Sequence, residues 1–194
     1  MSVARVRPAS VPDAEDLAEL AALTFPLACP PHTTQAAKSA FIQDVLSAAR
    51  FREYLTDPAR VVLVAQVADG PGTAPVPLTD NADLAGYAML VDAEPGDPDV
   101  RAVVTVRPTI ELSKFYVHPD HHGQGVANAL MRAALDVARR RDRAGIWLGV
   151  NNENVRAQRF YARHGFAVVG TKHFQVGGRL EDDFVLERPL ADLG

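Results

Sequence analysis

The sequence predicts a single α/β (α+β) domain built on a mixed, twisted central sheet of about seven strands flanked by helices. Three observations predict it. Apolar, β-branched runs and stretches of helical period follow one another in the order β-α-α-β-β-β-α-β-α-β-β. Glycine, proline and aspartate gather between these stretches rather than inside them. The 194 residues are enough to bury one core without disulfide or metal support. The order lacks the regular alternation of a doubly wound nucleotide fold.

Each element has its own warrant. Val3 to Arg7 alternates apolar and charged residues, a short strand. Ser10-Val-Pro-Asp13 supplies a capping side chain, an early proline and an acid, so a helix starts there and runs to about Leu27. Cys29-Pro30-Pro31 stops it. A second helical region, broken near Ser47, covers Thr34 to Leu55. Val61 to Val67 is a continuous β-rich run, as a strand covered on both faces requires. Loops rich in Pro, Gly and Asp flank the next strand, Leu84 to Asp92, and extra strand is expected at about Val103 to Arg107. Thr109 to Val117 is a strand ending at His118-Pro119. Gly125 to Arg141 has small or apolar residues at helical spacing, with arginines at the end the dipole favours. Ile146 to Val150 is a strand, and Asn154 to His164 a helix closed by Gly165. Val168 to Val176 and Leu180 to Arg188 form a hairpin around Gly177-Gly178. The chain thus reads as one domain over 1–194, with a helical region at 10–58, a core at 84–166 and a final hairpin at 168–188.

Composition narrows function. Hydrophobic residues at 47% and charged ones at 23% are those of an ordinary globular protein. Twenty Lys and Arg against 24 Asp and Glu, a net charge of −4, argue against a nucleic-acid partner, which demands clustered positive charge. The single cysteine, Cys29, rules out an internal disulfide and a multi-cysteine metal site. The opening MSVARVRPAS lacks an apolar leader, and no stretch has the length of a membrane span, so a cytoplasmic location without a membrane partner is expected.

The segment from Phe115 to Leu130 carries the chemistry. A strand runs into a proline, then Gly123-Gln-Gly125, then directly into an amphipathic helix. Glycines let backbone N–H groups turn inward, and a helix N-terminus adds unpaired donors and a favourable dipole, the requirements for holding a pyrophosphate. No Gly-Lys-Ser/Thr follows, so this is not a P-loop, and the dinucleotide spacing is incomplete.

His122-Gly-Gln-Gly-Val-Ala127 resembles the Arg/Gln-x-x-Gly-x-Gly/Ala signature of the GCN5-related N-acetyltransferases at every position but the first. Asn151-Asn-Glu-Asn-Val-Arg-Ala-Gln-Arg-Phe-Tyr-Ala-Arg-His-Gly-Phe166 resembles their second signature, Asn-x-x-Ala-x-x-x-Tyr followed by Gly-Phe. The resemblance spans 84 to 190 well and 1 to 60 through element order. Phe174 to Phe184, with the helical insert ending in Tyr54-Leu-Thr-Asp-Pro58, is similar to the spermidine/spermine-type branch, which suggests polyamines as one acceptor class.

What the resemblance implies is an enzyme that moves acetyl from acetyl-CoA, a co-substrate, to an amine by direct attack in a ternary complex. Phe115, Tyr116 and Val117 would pair by their backbone with the pantetheine arm, Val117 N–H donating to the thioester carbonyl. His122, Gly123, Gln124, Gly125, Val126, Ala127 and Asn128 would hold the pyrophosphate, although His122 brings less permanent charge than the usual arginine. Asn154, Ala157 and Tyr161 share one helix face, and about 10 Å separates the first from the last at the standard rise. Asn154 would hold a pantetheine amide, with helix capping as its rival role, and Tyr161 would protonate the departing thiolate. Glu111 is the carboxylate best placed as base, directly or through water, its alternative being an exposed strand-face charge. Some relatives carry a glutamate five residues before the motif asparagine, but that position is Gly149 here. Cys29 lies outside both motifs and is not expected to form an acyl intermediate.

Other classes compete with this reading. His118, His121 and His122 raise the question of a metal, but no carboxylate–histidine helix motif accompanies them, and none is expected. The alternatives in function are a protein or peptide N-acetyltransferase and a non-catalytic acyl-CoA-binding regulatory domain. A small-molecule or polyamine acceptor is favoured, and a homodimer through the final strands is compatible with the sequence. Asp80, Asp83, Asp92, Glu94, Asp97 and Asp99 crowd two loops with few compensating cations. Such a run is usually only a solvated loop, but if the polyamine resemblance holds, some of these carboxylates would draw a polycation to the cleft mouth.

Overall fold

The computed structural model describes residues 3–68, 83–176 and 179–190. Among these, seven strands form one sheet: β1 (Val3–Pro8), β2 (Arg60–Ala68), β3 (Gly86–Val91), β4 (Thr109–Val117), β5 (Gly145–Asn151), β6 (Ala167–Val176) and β7 (Arg179–Pro189), in the order β1-β2-β3-β4-β5-β7-β6. The helices are α1 (Ala14–Ala28), α2 (Gln35–Val45), α3 (Ala48–Thr56), α4 (Pro98–Val103), α5 (Val126–Arg140) and α6 (Val155–Arg163). All neighbouring pairs are antiparallel except β4–β5, which is parallel. A parallel pair needs a crossover, and α5 provides it. The sheet is therefore mixed, as the element order predicts. Gly177-Gly178 and Asp80 lie outside the described residues.

The apolar runs divide by strand alternation. In β2, Leu63 and Ala65 face α5 and join Leu130, Met131, Ala134 and Ala138 in one core. Val62 and Val64 face the other way, with Tyr87 and Met89 of β3, onto Leu17, Leu20, Phe25 and Phe51 of α1 and α3. A strand buried on both faces reads as the uninterrupted run Val61 to Val67.

One expectation is corrected. The extra strand expected at Val103 to Arg107 is absent; α4 ends at Val103, and the chain after it is irregular. Asp97 caps this helix by accepting from Asp99 N–H at 2.9 Å, and Pro98 begins it. Val100 and Val104 bury against Trp147 and Val185. The Thr105 and Val106 N–H groups donate to buried Glu187 at 2.9 and 2.8 Å, so no strand ladder is needed to satisfy them.

Two features shape the centre of the sheet. Between β3 and β4 the register shifts: Leu90 pairs with Leu112 and Met89 with Lys114, leaving Ser113 as an extra residue. Such a bulge bends its strand. Between β4 and β5 the pairing covers only Thr109–Glu111 against Gly145–Trp147. Beyond Glu111, β4 stays on β3 while β5 departs from it, and a gap opens in the sheet.

Candidate active site

The gap leaves one edge of β4 without a ladder. His118 N–H donates to Ala85 O on the β3 side at 2.8 Å. Successive N–H groups of a strand point in opposite directions, so that of Val117 points into the gap. The Val117 carbonyl accompanies it and meets His122 Nε2 at 3.2 Å. This is an open strand edge of the kind an extended, amide-bearing chain can join.

At the end of β4 the chain turns into α5 through Gly123 and Gly125, with φ of +80° and +81°. Only glycine adopts that region without penalty. A Cβ built on either glycine would meet no atom within 4 Å, so their Cα faces border open space. The first intrahelical bond runs from Ala129 N–H to Gly125 O at 3.0 Å, leaving the N–H groups of Val126, Ala127 and Asn128 without intrahelical partners.

A groove of about 460 Å³ runs from this turn along the open edge of β4. Tyr116, Val117, His122, Gly123, Gly125, Val126, Ala127 and Asn128 line it, together with Phe115, Asn154 and Tyr161. Gln124 does not: its side chain turns back to Asp120 O at 2.8 Å and His121 Nδ1 at 3.3 Å. Asn154 accepts from Ala157 N–H at 3.1 Å, so its carbonyl oxygen caps α6. The Asn128 oxygen meets His164 Nε2 at 3.1 Å and ties α5 to α6. Sequence reasoning missed Thr24 and Leu27 of α1 and Arg156, Phe160 and Arg163 of α6, which also line the groove. Burial, then Arg188, Arg163 and Arg132, hold the His164 pKa down, which reports a cationic field at this end. That field, the open turn and the free strand edge fit a phosphate-bearing chain such as coenzyme A.

A second cavity, about 480 Å³, lies on the α1–α2 side and meets the groove at Ala28, Phe115, Tyr116, Asn154, Ala157 and Tyr161. Two phenols stand at this junction. Tyr161 is buried, packs edge-on against Phe115 and Phe166, and its hydroxyl makes no hydrogen bond among the described residues. Tyr116 stacks on Tyr87 with centroids 5.4 Å apart. Burial pushes both phenol pKa values well above the ordinary range, and Tyr161, Cys29 and Asp183 push Tyr116 further. Both phenols therefore stay protonated at neutral pH.

The second cavity has two unlike walls. Phe25, Phe41, Val45 and Leu46 form an apolar one. Opposite stand Glu111, Ser113 and Lys114 of β4, Asn151 of β5, Lys172 of β6 and Asp183 of β7. Burial raises the Glu111 pKa, with Lys172, Lys114 and the Ser113 hydroxyl partly opposing it. Glu111 is thus a cavity carboxylate rather than an exposed strand-face charge. Gly149 has a physical role: a Cβ there would lie 2.5 Å from Lys172 Cε and 3.0 Å from its Nζ, so the missing side chain makes room for Lys172. Cys29, which caps α1, lines the cavity too, half-buried, with Sγ 3.4 Å from Phe25 O.

The histidines and the acidic loops go elsewhere. His118 Nδ1 accepts from Asp120 N–H at 3.2 Å, while His121 and His122 have the partners given above. Among the described residues no cluster of three His, Cys, Asp or Glu is arranged to hold a metal ion, and no helix is long and apolar enough to cross a membrane. Asp92 pairs with Arg141 at 3.0 Å and Arg143 at 3.4 Å, Glu94 with Arg107 at 3.0 Å, and Asp97 caps α4. Asp92 and Glu94 thus have cations that the sequence alone did not bring near them, and none of the three lines the second cavity.

Comparison with known proteins agrees with this geometry. The profile of the acetyltransferase (GNAT) family matches residues 39–166. An uncharacterized N-acetyltransferase of Mycobacterium tuberculosis is 42% identical over 178 residues, 92% of this chain and 98% of that one. An L-amino acid N-acyltransferase of Escherichia coli is 34% identical over 102 residues, 46% of this chain and 59% of that one. The crystal structure of the PaiA N-acetyltransferase of Thermoplasma acidophilum, in complex with coenzyme A, superposes with a TM-score of 0.70 at 17% identity, covering 96% of this chain and 99% of that one.

Proposed function

The chain belongs to the acetyltransferase (GNAT) family and is an acetyl-CoA-dependent N-acetyltransferase; on that premise we propose that its acceptor is a small-molecule amine, acetylated where groove and cavity meet. One observation carries the proposal: the gap between β4 and β5 joins a groove suited to coenzyme A to a separate, partly charged cavity, with two proton-bearing phenols at the junction. The apolar wall from α1 and α2 gives that cavity the scale of a small molecule. The L-amino acid N-acyltransferase among the relatives is, by its name, an enzyme with a small acceptor.

In this reading residues 84–166 are the acetyl-CoA-binding core. Gly123, Gly125 and the free N–H groups of Val126 to Asn128 take the pyrophosphate, and Arg156 and Arg163 add cationic attraction. The β4 edge at Phe115 to Val117 takes the pantetheine. Glu111 removes a proton from the acceptor ammonium, directly or through water, and later releases it to solvent. The amine nitrogen then bonds to the thioester carbon. Val117 N–H donates to the carbonyl oxygen, a bond that strengthens as charge develops there. As the carbon–sulfur bond breaks, Tyr161 gives its proton to the thiolate. The second amine proton passes to the phenolate, so each turnover yields an amide, a thiol and one proton in solution.

The test is release of free CoA thiol from acetyl-CoA in the presence of individual small amines. Thiol release that depends on the amine, with an acetylated product, is expected. Binding of acetyl-CoA without thiol release for any amine would mean a regulatory domain, and turnover confined to peptide or protein acceptors would refute the small-molecule acceptor.

A further inference from the structure

We propose that the acceptor is a zwitterion, an amine that also bears a carboxylate and an apolar side chain, with Lys114 taking the carboxylate and Glu111 facing the amine. This rests on the small-amine reading above and specifies its substrate class.

The backbone brings the two charges together. Strand residues three apart ordinarily point to opposite faces. The extra residue Ser113 resets the alternation, so Glu111, Lys114 and Tyr116 oppose Val91, Met89 and Tyr87 and share one face. An acid and a base thus flank a bulge on the charged wall of the cavity. An α-amino acid carries an ammonium and a carboxylate on one carbon, one group for each of these two side chains.

Lys114 is the cation with capacity to spare. It makes no hydrogen bond or ion pair among the described residues, and its ring contact is with Tyr54, 5.7 Å from the centroid. Burial depresses its pKa to about 8, with Arg60 adding to that and Glu111 opposing it, so it is still mostly charged at neutral pH. A half-buried ammonium that no carboxylate hydrogen-bonds, Glu111 acting on it only through space, favours an anionic ligand. Lys172 is differently placed: its Nζ and Asp183 Oδ2 lie 3.0 and 3.5 Å from the same point beside Gly149.

The opposite wall sets the third requirement. Phe25 and Phe41 stack with centroids 4.5 Å apart, offering an apolar surface to a side chain rather than to a second charge. A polyamine would bring further positive charge against Lys114. An uncharged amide, or the amine lacking its carboxylate, would leave Lys114 unmatched.

The experiment compares leucine and phenylalanine with their carboxamides, with phenethylamine and with spermidine, by CoA thiol release. We expect kcat/KM for each amino acid to exceed that for its amide by about ten- to a hundredfold, the worth of one charge-assisted hydrogen bond. The Lys114→Met variant, with acetyl-CoA affinity by calorimetry as the check on folding, should bring that ratio towards one; Lys114→Gln serves if Met does not fold. Equal rates for acid and amide, or preference for spermidine or phenethylamine, would overturn the zwitterion and leave the small-amine reading standing. An unchanged ratio in the variants would overturn the role of Lys114. No thiol release with any of these amines, while acetyl-CoA still binds, would count against the small-amine reading itself.

Discussion

Replacing Gly125 separates two contributions to the cradle, backbone strain and electrostatics. At φ +81° any L side chain is strained, by roughly 1–2 kcal/mol. A Cβ there meets nothing within 4 Å, so the strain comes without a clash. For a chain of this size each kcal/mol lowers Tm by about 2–4 °C, so Gly125→Ala and Gly125→Glu should both lose about 2–8 °C. They should differ in coenzyme affinity. A carboxylate about 4 Å from a phosphate charge costs about 1 kcal/mol in water and about 4 at the effective dielectric of a protein surface. Acetyl-CoA should therefore bind the Glu variant about 5- to 1,000-fold more weakly than the Ala variant. Raising ionic strength from about 0.1 M to 1 M shortens the screening length from about 10 to 3 Å and should narrow the difference. Calorimetry at two salt concentrations, with melting curves for both variants, measures both quantities. Equal affinities for the Ala and Glu variants at low salt would refute the placement of phosphate at this turn.

Two other outcomes follow from the same geometry. A Cβ on Gly86 would lie 2.8 Å from the Tyr116 carbonyl oxygen and 3.0 Å from Leu130 Cδ1; Gly86→Ala should cost about 1–3 kcal/mol in urea unfolding and lower turnover, because it pushes β4 at the edge bearing Val117. Glu111 acts as a base only when ionised, and its pKa is raised, so kcat/KM should climb with pH through a limb above the ordinary carboxylate range. Glu111→Gln should abolish that limb and slow the reaction; a variant with the wild-type profile would assign the limb to another group.

Much of this architecture is legible in the chain because local patterns determine it. Gly123 and Gly125 announce a positive-φ turn, Asn154 to Tyr161 a helix with one functional face, and Val61 to Val67 a strand buried twice. The family signatures lie in those same local stretches. What could not be read depends on register and distant pairing. Nothing at Ser113 reveals that it shifts the alternation and turns Lys114 towards Glu111. The early parting of β4 from β5 is a property of two strands, neither of which shows it alone. Tyr116, read only for its backbone, brings a second phenol to the junction because β3 sets its face. Arg156 and Arg163 carry no motif, and only the docking of α6 beside α5 makes them groove residues. At Val103 to Arg107, β-branched residues suggested a strand, whereas Asp97 and Pro98 start a helix just before them. The acidic loops looked uncompensated because Arg107, Arg141 and Arg143 are distant in sequence from the carboxylates they meet.

Single-turnover measurement on Tyr161→Phe tests the central claim, that acetyl transfer occurs where the two cavities meet. The substitution keeps the ring packed against Phe115 and Phe166 and removes a hydroxyl with no hydrogen bond among the described residues, so fold and coenzyme affinity should be preserved. With acetyl-CoA bound and an accepted amine in excess, the rate of the chemical step should fall about 10²-fold or more, the usual worth of a general acid, with Kd for acetyl-CoA unchanged. A chemical step as fast as in the wild type would contradict the account and move the proton donor away from this residue.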